Sequence, residues 1–361
     1  MSTKYRDFHQ FDKEINKEEI SSLSAEEKKS DLWVPFLSFP VTQKCNFKCM
    51  YCGTGGEATA SNDILISLDT IMKIVPIAIR KNIKKFRITG GEPFTHPDIG
   101  NILSYFSDLG YFTLVNSNGS LIIKNKELIE SLNDNIKFAI SCDTLIPEKL
   151  ENISKVKCHK EVVEGIKFLA ETGHLLRLNM VVNKYNYHEI EEMIKFCNEL
   201  KCDLKLLDVV SVPVPFGERD TFYQEISSLE SEWLIKSEQI LVHEYTRGFG
   251  TPCKRYRFGN TFVTVKNSVK GSHYDRECKD GICSKCTYYP CHEGLYDIFA
   301  LADGRLCACR WTEKQHSLDS EEQMQYLIDA FKRAEYFNKN SNVNMPARVE
   351  LQQINDREVN F

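Results

Sequence analysis

From residue 34 onward, short apolar runs alternate with amphipathic stretches about six times. The runs Val34–Thr42, Lys85–Thr89, Phe112–Asn116, Ile136–Ser141, Leu175–Val182 and Leu204–Val210 predict strands. Between them, Leu68–Lys81, Ile99–Leu109, Lys126–Leu132, Glu161–Thr172 and Tyr187–Leu200 carry apolar residues at helical spacing. Two of these helices run into a glycine, Gly110 and Gly173, which fits a glycine cap at a helix C-terminus.

Such alternation predicts an α/β fold with a parallel sheet and helical crossovers. Six units either close partway, as a partial (β/α)6 barrel, or open as a doubly wound sheet. In both, the functional end is the one where the strands finish. The alternation stops after residue 211, at Val-Pro-Val-Pro-Phe-Gly. The sequence therefore divides into a polar arm over 1–33, a core over 34–215 and a C-terminal extension over 216–361. In the extension, the pattern predicts a helix at 226–245 and β structure over Arg257–Lys266. A hairpin at 295–309 turns at Asp303-Gly304, and a last helix lies near 319–337.

The chain has 361 residues, enough for a large core. Lysine and arginine number 46 against 51 aspartates and glutamates, a formal charge of −5, which gives no support for a nucleic-acid or membrane-surface protein. There is no apolar segment of signal-peptide or membrane-span type, so a cytoplasmic location is expected, with cysteines kept reduced.

That location changes how the 14 cysteines read. Cys45, Cys49 and Cys52 form C-x3-C-x2-C directly after the first strand, at the functional end of the sheet. Protein iron–sulfur cubes usually give each iron a cysteine. Three thiols on one loop leave one iron open, as catalytic metal sites keep an open position. A second group, Cys278, Cys283, Cys286, Cys291, Cys307 and Cys309, lies in the extension. Cys142, Cys158, Cys197, Cys202 and Cys253 are scattered, and read as small buried residues without metal, Cys253 being the one nearest the second group.

The run Val-Thr-Gln-Lys-Cys-Asn-Phe-Lys-Cys-Met-Tyr-Cys resembles the cluster loop of the radical S-adenosylmethionine (SAM) superfamily. Thr89-Gly90-Gly91-Glu92, one β/α unit later, resembles its GGE motif. Lys-Phe-Arg-Ile-Thr-Gly-Gly-Glu-Pro, Leu-Asn-Met-Val-Val-Asn and Lys-Arg-Tyr-Arg-Phe-Gly-Asn look like the branch that contains the GTP 3′,8-cyclase. The resemblance spans roughly 34–310. It implies a partial barrel, a [4Fe–4S] cluster on Cys45, Cys49 and Cys52, and SAM chelated to its open iron. It also implies that the backbone of Gly90 and Gly91 and the side chain of Glu92 receive the SAM ammonium group, the glycines letting a ligand approach. Asn116, Ser117, Asn118, Ser141 and Asn179, at further strand ends, would hold the rest of SAM or the substrate. Lys85, Arg87 and Arg177 would face the substrate.

The extension resembles twitch and SPASM extensions. That implies a second [4Fe–4S] cluster on Cys283, Cys286 and Cys309, with Cys291 as a fourth ligand; a structural zinc site suits the same cysteines. The resemblance also implies a low-potential donor such as flavodoxin or ferredoxin.

The chain departs from the cyclase pattern. Ser38 and His96 stand where that branch has arginines, the arginine pair after the second C-x2-C is missing, and the chain ends Glu-Val-Asn-Phe, with no Gly-Gly. Arginine is the bidentate reader of phosphate, so these losses argue against a triphosphate. The expected function is a radical SAM enzyme that oxidises or rearranges a small molecule. The 33-residue arm is short for a leader-peptide domain, which favours a small molecule over a peptide. Peptide modification, GTP cyclisation and a non-catalytic iron–sulfur or zinc scaffold remain as alternatives. No catalytic side chain is identified.

Overall fold

The computed structural model describes residues 36–52, 64–209, 223–224, 226, 239–243, 253–266, 297–307 and 321–329. The expected arm, most of the expected helix at 226–245, and Cys278, Cys283, Cys286, Cys291 and Cys309 lie outside them.

The six alternating units are present. Strands β1 (Phe36–Thr42), β2 (Phe86–Gly90), β3 (Thr113–Ser117), β4 (Ile136–Ser141), β5 (Leu175–Val182) and β6 (Asp203–Asp208) pair in sequence order, each parallel to the next. Helices α1 (Leu68–Arg80), α2 (Ile99–Leu109), α3 (Lys126–Glu130), α4 (Pro147–Ser154), α5 (His159–Glu171) and α6 (Ile190–Leu200) lie between them. Helix α1 starts where the Ser67 side chain accepts from the Thr70 N–H, and it buries Ile71, Ile74, Val75 and Ala78 at helical spacing. Helix α2 ends at left-handed Gly110 as expected, whereas α6 ends at Lys201, a non-glycine in the same conformation.

Parallel strands are covered by their crossover helices. The helix-facing side of the sheet is apolar: Phe39 of β1 and Phe86 of β2 both pack on Phe106 of α2. The opposite, inner face carries Ser38 and Arg87, whose Cα atoms are register partners.

The extension lengthens this same sheet. A hairpin of β8 (Cys253–Phe258) and β9 (Thr261–Lys266) joins β6 through β9, in parallel, and β7 (Gln239–His243) flanks β8. At the other edge β10 (Asp297–Ala300) runs parallel to β1 and turns into β11 (Leu306–Cys307). The turn is at Asp303-Gly304, as the sequence predicts, with Gly304 at φ +83°. Among the described residues the sheet has eleven strands and ends at β11 and β7, as a partial barrel does. The expected helix at 226–245 is corrected at its end, because Gln239–His243 is a strand. Residues 321–329 form α7, inside the last predicted helix. Among the described residues, no helix is long and apolar enough to cross a membrane.

Candidate functional site

Strand β1 ends at Thr42 and delivers the cysteine loop to the C-terminal end of the sheet. Backbone contacts fix the loop. The N–H groups of Lys48 and Met50 donate to the carbonyls of Ser154 and Ile153, at 2.9 and 3.0 Å. These carbonyls belong to the last turn of α4, where a helix leaves acceptors without partners. The side chains of Cys45, Cys49 and Cys52 are all half-buried.

The Gly-Gly-Glu turn after β2 grips the same loop. Gly91 N–H donates to Thr42 O and Glu92 N–H to Lys44 O, both at 2.8 Å. A Cβ on Gly90 would lie 2.2 Å from Thr42 O, and one on Gly91 would lie 2.2 Å from Lys44 O. The group that approaches these glycines so closely is therefore the backbone of the cysteine loop.

Glu92 is fully buried. Its Oε1 accepts from Ser117 Oγ at 2.9 Å and Phe94 N–H at 3.2 Å, and its Oε2 accepts from Asn118 N–H at 2.7 Å. Burial pushes its carboxyl up to about 7, against these three hydrogen bonds, which favour the charged form. The carboxylate thus ties the end of β2 to the end of β3. Asn118 carries the connection back, its Nδ2 donating to Asn46 Oδ1 at 2.8 Å in the cysteine loop.

A further tether comes from β4. Tyr51, between the second and third cysteines, donates its hydroxyl to Asp143 Oδ2 at 2.5 Å. Asp143 Oδ1 accepts from Val181 N–H on β5 at 2.8 Å, and burial raises its carboxyl to about 6. Two residues at the ends of different elements, 92 positions apart, show no local pattern.

The other predicted residues separate into two groups. Ser141 and Asn179 are register partners on β4 and β5, and Arg177 Nε donates to Asn179 Oδ1 at 3.0 Å. Lys85 and Arg87 lie over the Phe36 ring, at 5.6 and 4.5 Å from its centroid, and Arg87 is ion-paired with Asp297 of β10. His96 is buried, and its ring nitrogens bond Ile66 O and Asp98 N–H, both at 3.1 Å.

The donor set fits an iron–sulfur centre. Burial, followed by the charges of Asp143, Cys52 and Cys45, raises the Cys49 thiol far above its ordinary range. Cys45 is raised by burial in the same way. Three neighbouring thiols become thiolates together only when a metal centre supplies the compensating charge. Among the described residues, no three ligating side chains converge on a single ion, and a cube places its cysteines on different irons.

A parallel partial barrel, with three thiols on the loop after β1 latched to a glycine turn after β2, defines the radical SAM class. Residues 39–197 match the family model described as the Radical SAM superfamily. The chain belongs to that superfamily and is a radical SAM enzyme, a family whose members use a [4Fe–4S] cluster and SAM. It is 27% identical over 248 residues to a probable GTP 3′,8-cyclase of Methanothermobacter marburgensis, covering 67% of this chain and 78% of that relative. A probable GTP 3′,8-cyclase of Sulfolobus acidocaldarius is also 27% identical, over 312 residues, covering 82% of this chain and 91% of the relative. Among solved structures, Streptococcus suis SuiB bound to S-adenosylmethionine superposes with a TM-score of 0.59 at 19% identity, covering 88% of this chain and 70% of that one. That likeness shows the fold.

Proposed function

We propose that Cys45, Cys49 and Cys52 hold a [4Fe–4S] cluster and that SAM lies against the Gly90–Glu92 turn, Asn116–Asn118, Ser141 and Asn179. When bound, the cluster and SAM would supply radical hydrogen-abstraction chemistry to a substrate on the inner face of the barrel. The chain's own residues position these groups. The observation that carries the reading is the set of three thiols, Cys45, Cys49 and Cys52, on one loop that the Gly-Gly-Glu turn grips through two hydrogen bonds at 2.8 Å, with no room for a Cβ between them.

Because three hydrogen bonds from β3 and its own turn already engage the Glu92 carboxyl, its role in this proposal is to hold that turn. Backbone carbonyls of the turn would receive the ammonium group of SAM. Arg177 and Asn179 form the polar wall on β5 that would face ribose, carboxylate or substrate.

The substrate of this reading is a small molecule, in keeping with the cyclase relatives. A peptide is the second reading; SuiB has been solved bound to its precursor peptide SuiA. Cys283, Cys286 and Cys309, with Cys291, would hold a second [4Fe–4S] cluster, which would supply an electron relay. Flavodoxin or ferredoxin would reduce the first cluster, and the location would be cytoplasmic.

The test is anaerobic reconstitution with iron and sulfide, followed by dithionite and SAM, with 5′-deoxyadenosine measured by mass spectrometry. Release of 5′-deoxyadenosine that disappears in Cys45→Ala, Cys49→Ala and Cys52→Ala is expected. No release from a protein holding its full iron would refute the proposal. An iron content near four per chain, and not near eight, would remove the second cluster.

A further inference from the structure

The inner wall formed by β10, β1 and β2 contains a charge cluster that the SAM site does not use. Asp297 is the first residue of β10 and is 2% exposed. Its Oδ2 accepts from Ser38 Oγ at 2.6 Å and also pairs with the Arg87 guanidinium. The three strands are neighbours in the sheet, and the three side chains meet on the face opposite the helices. Asn116 follows on β3, two residues beyond Leu114, the register partner of Arg87.

Two buried polar atoms of this cluster, Arg87 Nε and Asp297 Oδ1, have no hydrogen-bond partner, and Asn116 Oδ1, where the adjoining strand meets the proposed SAM site, is a third. Unmet buried polar atoms are destabilising, and native structures rarely leave several together. The strands that carry them form the inner wall, the face on which the proposed function places the substrate. An arginine in such a wall would ordinarily attract a phosphate or carboxylate. This one already has a carboxylate, fixed from the side by Ser38.

We propose that Asp297 is a specificity-determining residue. It occupies the anion site that Arg87 would otherwise offer, so this wall receives an uncharged group of the substrate with hydrogen-bond donors and an acceptor, such as a hydroxyl. Arg87 then serves to position Asp297 and makes no direct contact with an anionic substrate group. The inference rests on the substrate lying on the inner face. Its test needs no radical chemistry, so its failure is distinguishable from a failure to release 5′-deoxyadenosine.

The test is calorimetric titration of inorganic pyrophosphate into the full-length, anaerobically purified protein. Arg177, Lys205 and Lys266 stand on β5, β6 and β9, so some background binding is allowed, and dependence on Arg87 is the quantity read. Asp297→Asn frees the guanidinium and should bind pyrophosphate at least tenfold more tightly than the wild type. Asp297→Asn combined with Arg87→Gln should return to the wild-type affinity. Arg87→Gln alone should leave that affinity unchanged. The proposal is overturned if Asp297→Asn, folded by circular dichroism, gains nothing. It is equally overturned if Arg87→Gln weakens wild-type binding tenfold, because Arg87 would then already be receiving the anion. Should Asp297→Asn fail to fold, the Arg87→Gln comparison alone decides between these outcomes.

Discussion

Replacing Glu92 by glutamine tests the latch between β2 and β3 through its pH dependence. The carboxyl is fully buried and held at about 7, against an ordinary value of 4.5, with burial as the largest cause. The folded chain therefore keeps a proton that the unfolded chain releases between those two values. The sign follows from linkage: where the native state binds more protons, stability falls as pH rises. The contribution of Glu92 is fully present below about pH 4.5 and is lost as pH rises through about 7. At 1.36 kcal/mol per pH unit, the whole span is worth roughly 3 kcal/mol, and most of it falls between pH 5 and 8. Glutamine keeps the shape of the side chain and does not titrate. Urea unfolding of both proteins at pH 5, 6, 7 and 8 should show the wild type losing about 2–3 kcal/mol relative to Glu92→Gln across that range. A difference between the two proteins that stays constant from pH 5 to 8 would refute the reasoning, whichever of them is the more stable.

Three further outcomes follow from other contacts. In Gly91→Ala the new Cβ meets Lys44 O and Lys44 C, at 2.2 and 2.6 Å, and backbone atoms cannot turn aside. The cysteine loop must move, so iron content after reconstitution should fall; wild-type iron content would count against the interlock. Tyr51→Phe leaves Asp143 Oδ2 without the tyrosine hydroxyl and should lower stability by about 1–3 kcal/mol with the three thiols untouched. Unchanged stability in a melting experiment would show that this bond does not tether the loop. Lys201 ends α6 at φ +56°, where glycine carries no Cβ penalty, so Lys201→Gly should stabilise by about 0.5–1 kcal/mol. An equal or lower urea midpoint would contradict that reading of the cap.

The strands of the core were legible because each is a short apolar run with turn residues behind it, and because parallel strands need little more than burial against their helices. What stayed hidden depended on distance or on thin local signals. Helix α4 is eight residues, Pro-Glu-Lys-Leu-Glu-Asn-Ile-Ser, and only Leu150 and Ile153 give it an apolar side. Two anchors do not establish a period, yet this helix supplies the carbonyls that hold the cysteine loop. The sequence pattern places β7 at the end of a helix over 226–245. Gln-Ile-Leu-Val-His becomes extended by pairing with β8, a partner ten or more residues away. Asp297 could not be found from sequence at all, since its partners Ser38 and Arg87 are 259 and 210 positions distant.

The Gly-Gly-Glu motif shows how a correct signal can carry a different physical reason. Glycines at a strand end suggest room for a ligand. In this structure, the backbone of residues 42–44 takes that room, and the glutamate is committed to β3. The two motifs are therefore halves of one mechanical joint, and their joint presence in the sequence has a packing explanation before any ligand is considered. Packing does not explain the thiols. Cys45 and Cys49 are buried enough to resist ionisation, and Cys49 also has Cys45, Cys52 and the Asp143 carboxylate pressing it further the same way. A loop that only needed to pack would do better with alanine or serine at all three positions. Three mutually repelling thiols, held on a backbone that β2, β3, β4 and α4 each tether, make physical sense when a positively charged metal centre joins them.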